Sequence, residues 1–362
     1  MKVAKVEHKD KEANLKLYDK RFSKVEYLGS GSYGNVYKVE FNDKPGEYYA
    51  LKKFKQSPNT KEGFNISAIR EITILKELNH ENIERIIDTF YGSNSLYIQF
   101  EYMDFDLRSL ITKYQLSPSD IKGIFKQILT GLQVIHNNGI LHRDLATSNI
   151  LINKKGEVKI GDFGLSRPIA SPNKQMTEGV ITLNYRPPEI LFGAKYYSFS
   201  IDIWSAGCIL AEMILNRLLF PGKGEVEVLT RIFTLLGVPD DNNWPNANHL
   251  RLFNVYKGGP GKTIKKIFQN REPECIDLLE KLLVLNPNKR ININDALKHP
   301  YFSTQPLPTE KEGIAKLVLP TPESPTITIF NLYSSFTSLE FTSSICIFFK
   351  FILFLLLVYQ NY

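Results

Sequence analysis

Residues 141–149 read Leu141-His142-Arg143-Asp144-Leu145-Ala146-Thr147-Ser148-Asn149. A second motif, Gly161-Asp162-Phe163-Gly164, follows two short apolar runs, Ile150–Ile152 and Val158–Ile160, joined by the turn Asn153-Lys154-Lys155-Gly156. Two carboxylates and a carboxamide on loops beside short strands suit two tasks, holding a hard cation and accepting a proton. The chain on either side has to supply a frame for them. Upstream, Ser117-Pro118-Ser119-Asp120 is a helix start, and Ile121, Ile124, Phe125, Ile128, Leu129, Leu132 and Ile135 follow at helical spacing to a stop at Gly139. Earlier still, residues 22–102 are strand-like, with a glycine-rich turn, an apolar run over 47–54, one helix over 64–79 and the alternating Leu96, Ile98 and Phe100. Downstream, helical patterns run from 201 to 302.

The 362 residues are 43% hydrophobic and 23% charged, enough to bury a full core in two lobes and too apolar for a disordered chain. Cys208, Cys275 and Cys346 lie far apart, which excludes a disulfide framework and a cysteine-rich zinc site. The net charge of +7, from 45 basic and 38 acidic residues, favours anionic ligands without marking a nucleic-acid face, and no direct nucleic-acid binding is expected. Residues 1–21 are lysine- and glutamate-rich and read as a charged, flexible extension with no apolar stretch behind its charges, so no secretory signal is expected. Residues 304–326, rich in proline and threonine, read as a linker, placing the end of the folded unit near Phe302. The remainder, 327–362, is an apolar tail. Its stretch 345–359 is interrupted by Lys350. As a helix that stretch spans about 22 Å against a hydrocarbon layer of about 30 Å, so a membrane anchor is the weaker reading beside an unstructured or wrongly predicted C-terminus.

Three further elements bear on chemistry. In Gly29-Ser-Gly31-Ser-Tyr33-Gly34-Asn-Val36, glycines let a backbone approach phosphate oxygens. A plain turn explains the pattern as well, and a dinucleotide fold does not, because a strand pattern follows it. Lys52 ends the next apolar strand, where it either aims at phosphates or snorkels to solvent. Glu71 shares the apolar stripe Ile74, Leu75 and Leu78, and a carboxylate facing a core needs a cation. Lys52 is the economical partner.

Taken together, Gly29, Gly31, Gly34, Lys52, Glu71, His142-Arg143-Asp144, Asn149, Asp162-Phe163-Gly164 and Pro188-Glu189 resemble the eukaryotic protein kinase family over residues 22–303. The resemblance implies an α+β, two-lobed fold: a small antiparallel β-sheet lobe with one regulatory helix over 22–102, and a larger, mainly helical lobe over 103–303. ATP would lie between the lobes, bordered by Leu28, Val36, Ala50 and Phe100, with Glu101 and Met103 offering backbone hydrogen bonds. In that scheme Lys52, held by Glu71, meets the phosphates, Asn149 and Asp162 hold Mg²⁺, and Asp144 accepts the proton of a protein hydroxyl. His142 would brace the loop, Asp202 would take donors from the catalytic-loop backbone, and Glu189 would pair with Arg290.

Within the family, Asn65-Ile-Ser-Ala-Ile-Arg-Glu71 is similar to the cyclin-binding helix of cyclin-dependent kinases, with Asn65 in place of the usual proline. Val180-Ile-Thr-Leu-Asn-Tyr-Arg-Pro-Pro-Glu189 also resembles that group. Pro187-Pro188-Glu189, Trp244-Pro245 and Leu282-Leu-Val-Leu-Asn-Pro287 lean toward the transcriptional branch, which acts on the RNA polymerase II C-terminal repeats. By the same resemblance, Arg70, Arg143 and Arg167 surround a phosphate placed on Thr177 by an activating kinase, while a cyclin presses Glu71 toward Lys52. Val180, Ile181 and Leu183 then form the pocket that selects Ser-Pro or Thr-Pro sites. The implied location is the nucleus, or else the cytoplasm.

Besides Asn65, the chain departs from the family at three positions. Ala146 stands where serine/threonine kinases carry a lysine, and Ser148 where tyrosine kinases carry an arginine, so neither cation is present and Thr182 loses its usual neighbour. Asn184 replaces a tryptophan. Two classes therefore stay open, an active cyclin-dependent kinase and a catalytically impaired scaffold that binds nucleotide and cyclin.

Overall fold

The structure, a computed structural model, describes residues 21–30, 34–54, 66–92, 95–169, 180–245, 247–250, 261 and 263–318. Gly31, Asn65, Thr177 and nearly all of the two terminal segments, 1–21 and 327–362, lie outside them.

Five antiparallel strands, β1 (Phe22–Ser30), β2 (Gly34–Phe41), β3 (Tyr48–Phe54), β4 (Ile86–Gly92) and β5 (Ser95–Glu101), form one sheet in the order β1-β2-β3-β5-β4. Period-2 alternation divides β3: Tyr49 and Leu51 join an outer cluster with Phe22, Val25, Tyr37, Val39, Phe41 and Tyr97, while Ala50 and Phe54 belong to the main core. Lys52 shares the parity of Ala50 and Phe54, which aims it inward. Helix α1 (Ile66–Glu77) packs on β4 and on the turn Phe163–Leu165, burying Ala68, Ile74 and Leu75.

The second lobe begins with β6 (Phe105–Asp106) and α2 (Leu107–Lys113), which Asp106 caps by accepting the Ser109 amide. Helix α3 (Pro118–Asn137) starts in a reciprocal capping box between Ser117 and Asp120 and stops before Gly139, whose φ of +70° favours glycine. Strands β7 (Ile140–Leu141), β8 (Ile150–Ile152), β9 (Val158–Ile160) and β10 (Arg167–Pro168) make two small ladders, β6-β8-β9 and β10-β7. The rest is helical: α4 (Pro188–Leu191), α5 (Ser200–Leu215), α6 (Glu225–Leu236), α7 (Ile264–Ile267), α8 (Pro273–Leu282), α9 (Ile293–Leu297) and α10 (Lys311–Val318). One apolar core runs from Phe54 through α3 and α5 to Val318. This is the two-lobed α+β arrangement that the resemblance implies. Glu189 and Arg290 form a buried bidentate pair at 2.6 and 2.7 Å.

The segment expected to be a linker from 304 differs. Residues 304–309 run along α3, where Lys122 donates to the Thr304 carbonyl at 3.0 Å and Thr309 meets the Ser119 carbonyl and the Asp120 carboxylate at 3.0 and 2.8 Å. Helix α10 then buries Ile314 and Val318, which share one face at i and i+4, against α3. Proline and threonine at its start obscured that short period. A Cβ at Gly156, which has φ +77°, would meet the Lys311 carbonyl. Among the described residues, no helix is long and apolar enough to cross a membrane.

Because Ile314 is fully buried, Ile314→Ala should cost about 2 to 5 kcal/mol in urea unfolding, whereas Glu312→Ala, at an exposed position, should stay within about 0.5 kcal/mol.

Candidate active site

Lys52, 8% exposed, places its Nζ 2.8 and 2.9 Å from the two oxygens of Glu71 and 2.9 Å from Oδ1 of Asp162. Burial alone would lower the lysine, but the two carboxylates outweigh it and raise its pKa, so the ammonium stays charged. Burial would likewise raise Asp162, yet Lys52 holds that carboxyl below its usual range. Asp162 adopts φ +56°, which turns its side chain from the β9 ladder toward Lys52. Phe163, fully buried, packs edge-on against His142 at 4.9 Å.

His142 Nδ1 accepts the Asp144 amide at 3.3 Å, which leaves Nε2 to donate to the Gly161 carbonyl at 3.1 Å. Both nitrogens are thus used in joining the two motifs. Beneath the loop, Asp202 accepts the amides of His142 and Arg143, each at 2.9 Å, and meets His136 Nε2 at 3.0 Å. Burial opposes its charge, but His136 and these donors keep the carboxyl low. The left-handed Arg143, φ +66°, is what lets two successive amides point at one carboxylate.

Asp144 Oδ1 accepts the amide and the hydroxyl of Thr182 at 2.9 and 2.6 Å. Thr182, without a lysine at 146, therefore meets the carboxylate directly. Asn149 Nδ2 donates to the Asp144 carbonyl at 2.8 Å and to Oδ2 at 3.2 Å, so its amide oxygen faces the other way. Ala146 is fully buried.

A cavity of about 660 Å³ brings together Leu28, Gly29, Gly34, Val36, Ala50, Lys52, Phe100, Glu101, Met103, Asn149 and Asp162. At Gly34 a Cβ would sit 2.5 Å from the Lys53 carbonyl, so the strand pair requires glycine there. Glu71 lies behind Lys52. Of the three arginines, Arg143 is buried, with Nε donating to the Leu165 carbonyl at 2.8 Å and Nη1 to the Tyr197 hydroxyl at 3.1 Å. Arg167 pairs with Leu141 across the β10-β7 ladder, Arg70 lies on α1, and both make contacts. Val180 and Ile181 are buried and Leu183 packs on the core. Ile181 has φ +76°, and its carbonyl accepts Arg186 Nε and Nη2 at 3.2 and 3.0 Å. Arg186 is in turn held by Glu225 at 2.5 Å. Asn184 accepts the Gly222 amide at 3.0 Å, which ties this segment to the chain before α6.

Sequence reasoning missed Glu84, Arg108, Arg186 and Glu212. Glu84 is buried on the cavity wall, with Oε2 taking the Asp162 amide at 3.4 Å. Its one signal is a charge inside Ile83-Glu84-Arg85-Ile86-Ile87, and Arg85 beside it makes that read as a solvated stretch. Glu212 interrupts the apolar α5 much as Asp202 does.

The protein kinase domain family matches residues 22–302. The chain is 41% identical over 282 residues to cyclin-dependent kinase 7 of Dictyostelium discoideum, covering 76% of this chain and 78% of that protein. It is 40% identical over 306 residues to cyclin-dependent kinase D-1 of Arabidopsis thaliana, covering 84% and 75%. A solved structure of the CAK complex from Chaetomium thermophilum bound to ATP-gamma-S includes a chain that superposes with TM-score 0.74 at 36% identity, over 84% of this chain and 96% of that one.

Burial pushes the Glu84 carboxyl up to about 8 from an ordinary 4.5, against the pull of Lys52. The folded protein thus holds a proton there that the unfolded chain releases, and the stability this group contributes is present below pH 4.5 and lost as pH rises through about 8. Urea melts of the unliganded protein across that window should show a wild-type decline that Glu84→Gln lessens.

Proposed function

The chain belongs to the protein kinase family, in its cyclin-dependent branch, and we propose that it transfers the γ-phosphoryl group of ATP to serine or threonine followed by proline. The observation that carries this reading is the Lys52 ammonium shared by Glu71 and Asp162 on the wall of the cavity, with Asp144 and Asn149 hydrogen-bonded beside it. The adenine would lie between Val36, Ala50 and Phe100, with backbone groups of Glu101 and Met103 at its edge, and the glycine-rich β1-β2 turn would cover the phosphates.

Asp144 is poised to orient the acceptor hydroxyl and take its proton as the oxygen–phosphorus bond forms and the bond to ADP breaks. Thr182 and Asn149 fix its two oxygens for that task. The donors fit a hard divalent cation: Asp162 is kept anionic by Lys52, and the amide oxygen of Asn149 points away from Asp144. Mg²⁺ held there by Asn149 and Asp162 would neutralise phosphate charge.

Proline selection follows from the Ile181 carbonyl. Arg186 occupies it, so the amide of a residue after the acceptor finds no partner there. Proline has no such amide, and its ring fits the apolar Val180, Ile181 and Leu183. Ile69, 48% exposed on α1, suits the helix to an apolar cyclin surface. Phosphate added to Thr177 by an activating kinase would draw Arg70, Arg143 and Arg167 together. By the resemblance of its sequence motifs, its location would be the nucleus and its substrates the RNA polymerase II C-terminal repeats or cell-cycle proteins.

The buried Ala146 and the neutral Ser148 favour a second reading, a scaffold that binds nucleotide and cyclin with little turnover, since one missing charge at such a site costs about 10²- to 10³-fold. Purified protein with its cyclin, assayed on Ser-Pro peptides, separates the two. Turnover that falls about 10²- to 10⁴-fold in Asp144→Asn, and about tenfold or more when the peptide proline becomes alanine, supports the kinase. Nucleotide binding without turnover supports the scaffold.

A further inference from the structure

Beside the catalytic loop, a group of polar side chains links α2, that loop, the substrate segment and α5. Glu212, 4% exposed, accepts the Tyr185 hydroxyl at 2.5 Å and the Thr147 hydroxyl at 3.3 Å. The two hydroxyls are 2.8 Å apart. Arg108, in the first turn of α2, lies over them, with Nη2 3.1 Å from the Tyr185 oxygen and Nε 3.4 Å from Thr147 Oγ1. Its direct partners are these two neutral hydroxyls, while the Glu212 and Asp106 carboxylates act on it only through space, beyond the 4.0 Å of an ion pair. The guanidinium keeps further N–H donors in a planar fork, on a side chain exposed to solvent.

Its place gives this cation a use. Thr147 follows Asp144 by three residues, and Tyr185 follows Ile181 by four, so Arg108 stands against both the acceptor loop and the pocket segment. The loop itself has no cation at 146 or 148. We propose that Arg108 is a specificity-determining residue that reads a carboxylate or phosphate on the substrate, on the residues preceding the Ser/Thr-Pro acceptor. The preceding side follows because the residue after the acceptor meets the apolar Val180, Ile181 and Leu183. A planar guanidinium backed by hydroxyls can bind either anion in bidentate fashion. The inference rests on the kinase reading above.

The test uses the full-length chain with its cyclin, Thr177 phosphorylated, and Ser-Pro peptides carrying alanine, aspartate or phosphoserine at each of the four preceding positions. At one position at least, the acidic peptides should exceed the alanine peptide in kcat/KM by about 3- to 10-fold at low salt, falling toward parity at high salt as expected for a part-exposed pair. The phosphoserine and aspartate arms tell a phosphate reader from a general acid reader. Arg108→Ala should bring the ratio to about one and Arg108→Glu should invert it, whereas a purely structural Arg108 would lower both peptides alike. An unchanged ratio in these variants overturns the proposal, as does a wild-type ratio near one at every position, a result that needs no variant to fold. If no peptide is phosphorylated at all, the kinase reading fails and the Arg108 proposal falls with it; turnover of the alanine peptide alone overturns only the latter.

Discussion

Lys52 carries a positive charge into a nearly dry site and meets two carboxylates there, one from α1 and one from the loop after β9. An isolated charge in that position would lose several kcal/mol of hydration, and so would either carboxylate alone. The three groups are therefore stable only together. That mutual dependence makes the position of α1 a variable on which the whole site turns: if the helix moves away, Lys52 retains only Asp162, and Glu71 is left buried without a cation. Displacing α1 would therefore unbalance the charges of the site. Glu84 adds a third acid to the same wall and stays out of conflict by remaining protonated, since burial lifts it to about 8.

Asp202 plays the matching part in the second lobe. It fixes the loop by taking two consecutive amides, which the chain can present only by entering the left-handed region at Arg143. Among the described non-glycine residues, positive φ occurs at Arg143, Asp162, Ile181, Asn216 and Thr263, and the first three lie in the 142–149 loop, the turn after β9 and the segment 180–185. Strain of this kind persists only where surrounding bonds overdetermine it. Here they are the Asp202 carboxylate for Arg143, Lys52 for Asp162, and Arg186 for the Ile181 carbonyl.

The missing lysine is met by rearrangement, not by a vacancy. Thr182 bonds Asp144 directly, Thr147 joins Tyr185 and Glu212, and Arg108 lies over that group from α2. Asn184 holds the chain before α6 by a hydrogen bond. These contacts around residues 144–147 come from hydroxyls, the Glu212 carboxylate and the Arg108 guanidinium, a different distribution of charge from that of a loop bearing its own cation.

Sequence alone determined the order and spacing of the glycine turn, Lys52, Glu71, the 142–149 loop and Asp162, and with them the family. It also determined the periodicities that set α3, β3 and β5, because those patterns record which way each residue faces along its own element. The partnership of Lys52 with Glu71 was legible too, since a carboxylate on an apolar stripe needs a cation. Tertiary structure decided the rest: that Asp162 shares the same ammonium, that Ile181 turns its carbonyl to Arg186, that Glu84 lies inside, that Arg108 reaches the loop, and that residues 304–318 pack on α3. Each of these depends on two segments far apart in the chain meeting across a gap of a few ångströms. A one-dimensional pattern shows which face a side chain takes, but not which other face will come to meet it.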